Sequence, residues 1–315
     1  MDFTLKIYRQ LLVAIQNKGY SFFTFEEYCQ KKTSGNFVML RHDVDLRARL
    51  SLATAKIEAA LGIRASYYFR VVPQSNQPDI IRAIAALGHE IGYHYDDMAL
   101  FNGDAKKALA HFQQQLEYFR QFYPIQTICM HGSPTSKHDN KDLWKNGNYR
   151  DYGIIGEPYF DVDFNKVFYL TDTGRMWDGL RYNVRDKVVL HRRDVPIHRE
   201  CAIKYSMGSG EFIDNSSKHI LDSEDYKPQM KLATSRLGVT TNGACDITQK
   251  QNSKQQTTFH STTDIIHSIQ SGTFPSQVMI TTHPQRWTDN RVEWIQELIL
   301  QQLKNVLKKI LVGSK

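Results

Sequence analysis

Residues 37–45 read FVMLRHDVD, an apolar run followed by charged and polar residues. A short apolar run bounded by polar residues is typical of a strand buried on both faces, as in a parallel sheet. The pattern recurs along the chain, and the strands that it predicts lie at residues 66–70, 90–94, 127–130 and 278–282. Amphipathic helical stretches separate most of these strands. Strands that alternate with helices predict parallel βαβ units.

Repeated βαβ units build either a closed (β/α) barrel or an open doubly wound sheet. No GxGxxG turn follows the first predicted strand, which removes the main argument for a dinucleotide-binding sheet. The sequence therefore predicts an α/β fold, namely a distorted or incomplete (β/α) barrel with parallel strands.

Amphipathic helices are predicted near both ends of the chain. Apolar residues recur at helical spacing from Leu5 to Ile15, which favours a helix over a secretion signal and suggests a cytoplasmic protein. The last helix is predicted to begin at an Asp289/Asn290 cap, with its lysines on a solvated face. Its apolar stripe comprises Val292, Ile295, Leu298, Ile299, Leu303, Val306, Leu307 and Ile310.

Residues from about 191 to 258 break this rhythm. The stretch is polar, rich in Gly, Ser, Asn and Gln, and has little periodicity. Long structureless loops are uncommon inside compact domains, so we predict an insertion that lies over one face or is partly disordered. The chain has no internal repeat and no second periodic core. We predict a single domain over residues 1–315, with the insertion within it.

Composition excludes several classes of protein. Hydrophobic residues make up 41% of the 315 residues, far from the composition of a disordered chain. No stretch approaches the run of about 20 apolar residues that a membrane span needs. The net charge of +7 comes from scattered basic residues, so we predict no nucleic-acid partner. The four cysteines lie far apart without a CxxC pair and are interpreted as buried free thiols.

Candidate catalytic residues follow the predicted strands directly. Asp43 and Asp45 follow the first strand, His94 and His131 follow later ones, and His283 follows the last. Because the carboxyl ends of parallel strands meet at one mouth of a barrel, we expect these side chains to lie close together. A divalent metal is one explanation of two neighbouring carboxylates. The alternative is a surface DxD that caps the following helix.

The histidines are interpreted one by one. His94 is a candidate metal ligand that Asp97 could orient or assist, although a lone histidine is more often structural. His131 is a third ligand, a substrate contact or only part of a turn. His283 is a candidate proton donor. His89, which opens its strand, is assigned a structural role.

Candidate substrate-binding residues surround these histidines in sequence. Trp287 follows His283 closely and is either an aromatic platform for a sugar or a core residue. Residues 169–179 read YLTDTGRMWDG, a glycine-punctuated loop that is a candidate substrate wall. It carries Asp172, Arg175 and Trp177.

Taken together, these segments resemble the polysaccharide deacetylase superfamily (nodulation-protein-B homology), in its divergent branch with an HDVD first motif. The matching segments are LRHDVD (40–45), GHEIGYHYDD (88–97), MHGSP (130–134), TDTGRMWDG (171–179) and THPQRW (282–287). Their order and spacing extend over most of the chain outside the insertion. The resemblance implies a distorted (β/α) barrel and metal-assisted removal of N- or O-acetyl groups from sugars.

The resemblance also implies roles for individual residues. Asp43 falls on the family's catalytic base, His94 on its first metal histidine and His283 on its general acid. His131 stands where the family usually has a substrate-contacting arginine. The chain departs from the pattern at Val44, which replaces the second aspartate, and at Met98, which replaces the second metal histidine.

These departures bear on the metal. A thioether is a poor ligand for a borderline or hard cation, so the metal is expected to use Asp45, His94 and His131 instead. Zinc, nickel, cobalt or manganese are the candidate ions. The resulting prediction is a metal-dependent deacetylase of a surface-polysaccharide sugar. The alternative is a catalytically inactive, carbohydrate-binding barrel that has lost its metal.

Overall fold

The computed structural model describes residues 1–177 and 258–313, with side chains described as far as residue 306. The predicted insertion at 191–258 lies outside the described residues except for its last position, so it stays a prediction. Cys201, Cys245, Asp178 and Gly179 lie outside them as well. Cys29 and Cys129, which are described, are free thiols.

The described part of the chain contains one curled sheet of seven parallel strands. Its order is β5-β4-β3-β2-β7-β6, and β1 pairs with the first half of β2. Together with the flanking helices, the sheet makes a distorted, incomplete (β/α) barrel, which confirms the predicted fold class. The strands are β1 (Ser21–Phe23), β2 (Phe37–Val44), β3 (Ser66–Phe69), β4 (Glu90–Tyr95), β5 (Ile128–Met130), β6 (Phe168–Thr171) and β7 (Gln277–Thr282).

Several helices begin where a polar side chain satisfies one of the first free N–H groups. Thr4 accepts from the backbone of Ile7 at the start of α1, and Thr24 and Glu27 form a capping box at α2. The helices are α1 (Leu5–Asn17), α2 (Phe25–Cys29), α3 (Ala48–Ala60), α4 (Pro78–Ala86), α5 (Asp97–Leu100), α6 (Ala105–Arg120), α7 (Pro158–Asp161), α8 (Thr262–Ser271) and α9 (Arg291–Gly313). Short 3₁₀ turns lie at Asn140–Trp144, Tyr149–Tyr152, Thr173–Arg175 and Pro284–Arg286.

The two faces of the sheet are packed differently. Along β2, Val38 and Leu40 face the larger core, which includes the buried residues of α1 and α6. Phe37 and Met39 face a smaller core on the inner side of the curled sheet. Successive side chains of a strand point to opposite faces. Continuing this alternation places Arg41 and Asp43 on the inner side, toward the mouth where the strands end.

Helix α9 buries its polar face and exposes its apolar face, the reverse of a typical amphipathic surface helix. Its apolar residues Val292, Ile295, Ile299, Leu303 and Val306 are each more than half exposed. Its buried residues are polar, namely Glu297, Gln301 and Asn305. Hydrogen bonds explain this orientation, since Asn305 donates to the carbonyl of Gly174 at 3.0 Å and accepts from Gln301 at 2.8 Å. The Asn290 cap was predicted correctly.

The longest helix of the described residues is α9, with 23 residues. None of the helices in this part of the chain combines the length and the apolar character that crossing a membrane requires.

Candidate metal centre

The five predicted mouth residues converge on the carboxylate of Asp45. Its Oδ1 atom lies 3.7 Å from Nε2 of His94 and 3.5 Å from Nε2 of His131. Its Oδ2 atom lies 3.9 Å from Nε2 of His283. The remaining member, Asp43, has Oδ2 at 3.8 Å from Nε2 of His94. Parallel strands that end at the same mouth bring these residues together, as the sequence predicted.

The distances around Asp45 fit a shared cation better than direct hydrogen bonds. Oδ1 of Asp45 is buried and has no hydrogen-bond partner among the described residues. A separation of 3.5–3.7 Å is too long for a good hydrogen bond to an imidazole. Two ligands held at about 2.0–2.1 Å by a tetrahedral ion are roughly 3.3 Å apart. The residues present therefore suit a divalent metal, which would also satisfy the buried oxygen.

His94 is oriented as a metal ligand. Its Nδ1 atom lies 2.9 Å from the backbone carbonyl of Cys129, so Nδ1 carries the proton and donates it. The unprotonated Nε2 then faces the carboxylates, and a backbone partner of this kind fixes the ligating tautomer. Burial lowers the pKa of His94 and lowers that of His131 to about 4. Both imidazoles are thus neutral at pH 7, the form that binds metal.

A second set of donors overlaps with the predicted one. Among the described residues, Asp43, His94 and Cys129 have donor atoms that all lie within 4.8 Å of one another. This set shares only His94 with the predicted triad of Asp45, His94 and His131, in which Oδ1 of Asp45 lies 3.7 Å and 3.5 Å from the two imidazoles. Cys129 was interpreted only as a buried thiol. The pairing of β4 with β5 sets Cys129 beside His94, which its sequence context does not indicate.

Asp43 forms a buried ion pair with Arg41. The guanidinium donates from Nε to Oδ1 at 2.9 Å and from Nη2 to Oδ2 at 2.7 Å. Burial acts to raise the pKa of Asp43, but Arg41 and His94 outweigh it and hold the pKa well below its usual range. Asp43 is therefore ionised, and the same pairing reduces its basicity. The sequence analysis did not identify this role of Arg41.

His283 forms an acid–base pair with Asp172. Its Nδ1 atom lies 2.6 Å from Oδ1 of Asp172, and its Nε2 faces Asp45. Asp172 is fully buried, and it also accepts from the indole of Trp287 at 2.9 Å and from Arg286. Burial raises the pKa of Asp172, but Arg286 and His283 outweigh that effect and lower it. The carboxylate therefore positions the imidazole, as in other histidine–carboxylate pairs.

The tryptophans predicted to contact the sugar are buried instead. Trp287 has no exposed surface, and its ring packs 5.1 Å from Phe3 and 5.2 Å from Tyr8. Trp177 is only 4% exposed and donates to Thr262. Neither indole has a free face for a sugar ring, so the geometry does not support a platform at these positions and favours the core-packing alternative.

The polar residues predicted to bind substrate are also engaged elsewhere. Asp172 supports His283, and Asp97 is buried between the hydroxyl of Tyr93 and the imidazole of His111. Arg175 stacks on the ring of Trp294 at 4.4 Å. The side chains of these three residues are therefore held by other residues of the protein and do not face the mouth. His89 is buried, with both ring nitrogens bonded to backbone groups, consistent with the predicted structural role.

Two cavities are relevant to the cluster, and of these two the polar one has a residue of the cluster in its wall. The aromatic cavity, about 880 Å³, is lined by Trp144, Tyr149, Tyr159, Phe160 and Phe164 among others. The hydroxyl of Tyr159 lies 3.0 Å from Nη2 of Arg41 and so connects this cavity with Asp43. The polar cavity, about 730 Å³, has His131, Arg70 and Asp96 in its wall. Both volumes fall in the usual range for small-molecule sites.

Comparison with family models, with curated proteins and with solved structures finds no match for this chain. The geometry of the cluster around Asp45 and the sequence motifs that follow the strands therefore provide the basis for a functional proposal.

Proposed function

We propose that this protein is a metal-dependent hydrolase that removes an acetyl group from a sugar of a surface-polysaccharide pathway. The single observation that supports the proposal most strongly is the carboxylate of Asp45, whose two oxygens lie 3.5–3.9 Å from three imidazole nitrogens. The motif resemblance supplies the reaction class. The neutral state of His94 and His131 supports the metal.

In this proposal Asp45, His94 and His131 hold a divalent cation, with zinc, nickel, cobalt and manganese as candidates. Nitrogen and carboxylate ligands suit these borderline ions. A cation bound there supplies positive charge that polarises a carbonyl group and makes water easier to deprotonate. In the second set of donors, Asp43 and Cys129 would take the places of Asp45 and His131, and His94 would remain.

Asp43 and His283 carry the proton transfers. Asp43 is kept ionised by Arg41 and lies beside His94, so it can accept a proton from an attacking water. His283 follows β7, the strand that pairs with β2, and Asp172 holds its proton on Nδ1. When His283 is protonated on Nε2 as well, it can donate that proton to the departing amine or alkoxide.

The sugar would extend into the aromatic cavity. Tyr159 lines that cavity and also contacts Arg41, the partner of Asp43. Phe160, in the same wall, is 49% exposed and offers a ring face for stacking. Aromatic faces stack on the poorly hydrated faces of sugar rings. These residues take the place of the buried tryptophans in the proposal.

A non-catalytic sugar-binding barrel is the second candidate, and Met98 favours it. Met98 occupies the position where the resembled family has its second metal histidine. Its side chain is only 6% exposed and belongs to the larger core, so it contributes no ligand. Under this candidate the cavities bind sugar while the cluster around Asp45 binds no metal.

Acetate release separates the two candidates. We expect the full chain, supplied with zinc, to release acetate from N-acetylated chito-oligosaccharides or acetylated xylan. His94→Ala should reduce the rate roughly 10²–10⁴-fold, because it removes the ligand common to both donor sets. His267→Ala changes an exposed histidine of α8 and is the matched control with an unchanged rate. Sugar binding without acetate release, equal in wild type and His94→Ala, would favour the binding protein.

A further inference from the structure

We propose that the polar cavity is an anion-binding subsite, so that the substrate is a sugar carrying a phosphate or carboxylate group. The link to a substrate rests on the proposed function, whereas the anion site itself does not. The cavity is lined by Arg70, Asp96, Ala99, Leu100, Asn102, His131, Ser133, Pro134, Thr135, Ser136, Lys137 and His138.

The cavity shares a wall with the cluster around Asp45. His131 lines the cavity, and its Nε2 atom lies 3.5 Å from Oδ1 of Asp45. On the other side of the ring, Nδ1 lies 3.7 Å from Oδ2 of Asp96. The imidazole of His131 therefore separates a ligand in the cavity from the carboxylate of Asp45. A group bound there would belong to the same small molecule as the acetyl group.

Positive charge dominates the wall of the cavity. Arg70 and Lys137 contribute two permanent cations to the lining. Asp96 is the single carboxylate in the lining, and it is already paired with Arg70. Lys137 is exposed, so its ammonium can reach a bound ligand. The exposed Thr135 in the same wall adds a hydroxyl donor, as is common in phosphate and carboxylate sites.

Arg70 has donor capacity that the protein leaves unused. Its Nη2 donates to Asp96, but its buried Nε–H has no hydrogen-bond partner among the described residues. A buried donor of a charged group without a partner is costly. This nitrogen is not exposed to the cavity, so Arg70 would have to turn toward a bound anionic oxygen to remove that cost. Arginine binds phosphate and carboxylate groups through paired N–H donors of this kind.

The backbone of the wall is shaped around the cavity. Ser133 has a φ of 35°, a left-handed conformation that costs energy for a residue with a side chain. The strain holds Ser133 Oγ 3.0 Å from Nδ1 of His131. His138 packs against Gly103, where a Cβ atom would meet its ring. Both features keep histidines in the cavity wall, which fits a pre-formed binding site.

Isothermal titration of the full chain with inorganic phosphate tests the anion site. The titration is carried out at low ionic strength on protein dialysed against a chelator, so that bound metal cannot take the phosphate. We expect saturable binding that weakens about tenfold in Lys137→Glu, in line with the loss of a charged hydrogen bond. Lys107→Glu is the matched control, because Lys107 is an exposed lysine of α6 outside the cavity. Phosphate binding that is absent, or equal in both variants, would overturn the proposal.

Sugars identify the source of the anion. We expect glucose 1-phosphate or glucuronate to bind more tightly than glucose, and the tighter of the two shows whether the site takes phosphate or carboxylate. Arg70→Gln should lose this preference, and its melting temperature reports whether it folds. Equal affinity for the three sugars would contradict an anionic subsite. Retained anion preference in a chain without acetate release would leave the subsite intact and reject the proposed function.

Discussion

His283 donates a hydrogen bond from Nδ1 to Oδ1 of Asp172 over 2.6 Å. The two residues lie 111 positions apart in the sequence, and the pairing of β6 with β7 brings them together. Asp172 accepts further bonds from Trp287 and Arg286, which keeps the carboxylate in place. Nε2 of His283 is thereby directed toward Asp45. We therefore predict that Asp172 positions the imidazole of His283 for proton transfer and does not contact the substrate.

Asp172→Asn should lower kcat roughly 10²–10⁴-fold, since an amide does not hold the same tautomer of His283. KM for the acetylated substrate should change little. His283→Gln should give a similar loss in kcat, because it removes the proton donor itself. The measurement is steady-state acetate release together with a thermal melt. A large rise in KM at unchanged kcat for Asp172→Asn would show that it binds substrate instead.

Asp43→Asn should affect both catalysis and stability. It removes the proposed base and leaves Arg41 buried without its charge partner, which costs about 3–5 kcal/mol. The double variant Arg41→Met/Asp43→Asn removes both charges and should recover most of that stability, while kcat stays low. Urea unfolding of the wild type and the variants measures the coupling. Equal stability of the single and double variants would show that the ion pair contributes nothing.

Glu90 should make stability depend on pH. It opens β4 on the inner side of the sheet, and burial raises its pKa to about 7 despite hydrogen bonds from Ser66, Thr127 and the backbone of Glu26. Between about pH 4.5 and 7 the folded state keeps a proton that the unfolded state has released. Stability therefore falls as pH rises through that window, by about 3 kcal/mol at most, and then levels off.

Glu90→Gln should remove this dependence, because the amide keeps the shape and does not ionise. The measurement is the difference in unfolding free energy between wild type and Glu90→Gln from pH 4.5 to 7.5. We expect the wild type to lose stability relative to the variant as pH rises. A constant difference across the range would mean that Glu90 titrates at its ordinary pKa.

The orientation of α9 gives a further prediction. Ile299 is 55% exposed, whereas Asn305 is buried and bonded to Gly174. Ile299→Gln should therefore change the free energy of unfolding by less than about 0.5 kcal/mol. Asn305→Ala should cost about 1–3 kcal/mol, since it breaks buried hydrogen bonds. Chemical denaturation of both variants checks this, and the reverse order would show that the apolar stripe is the buried face.

Much of the fold could be predicted from the sequence because the strands β2 to β5 and β7 are distinct apolar runs that end in polar residues. The strands β1 and β6 were missed. β1 has only three residues, and β6 lies in a segment interpreted as a substrate loop. The orientation of α9 was missed as well, because hydrogen bonds to Gly174 outweigh the apolar pattern.

The convergence of the mouth residues could be predicted for a physical reason. Parallel strands deliver the residues that follow them to one end, whatever their distance in sequence. The burial of Trp287 could not be predicted in the same way, because it depends on Phe3 and Tyr8 from the other end of the chain. The proximity of Cys129 to His94 depends on the register between β4 and β5, which a single sequence does not specify.

Metal content tests the central claim most directly. The full chain is incubated with zinc, desalted, and analysed by inductively coupled plasma mass spectrometry, together with Asp45→Asn, His94→Ala and Cys129→Ser. We predict one tightly bound ion per chain in the wild type and in Cys129→Ser, and loss of that ion in Asp45→Asn and His94→Ala. A wild type that retains no zinc, nickel, cobalt or manganese, or an Asp45→Asn variant that binds as much as the wild type, would contradict it.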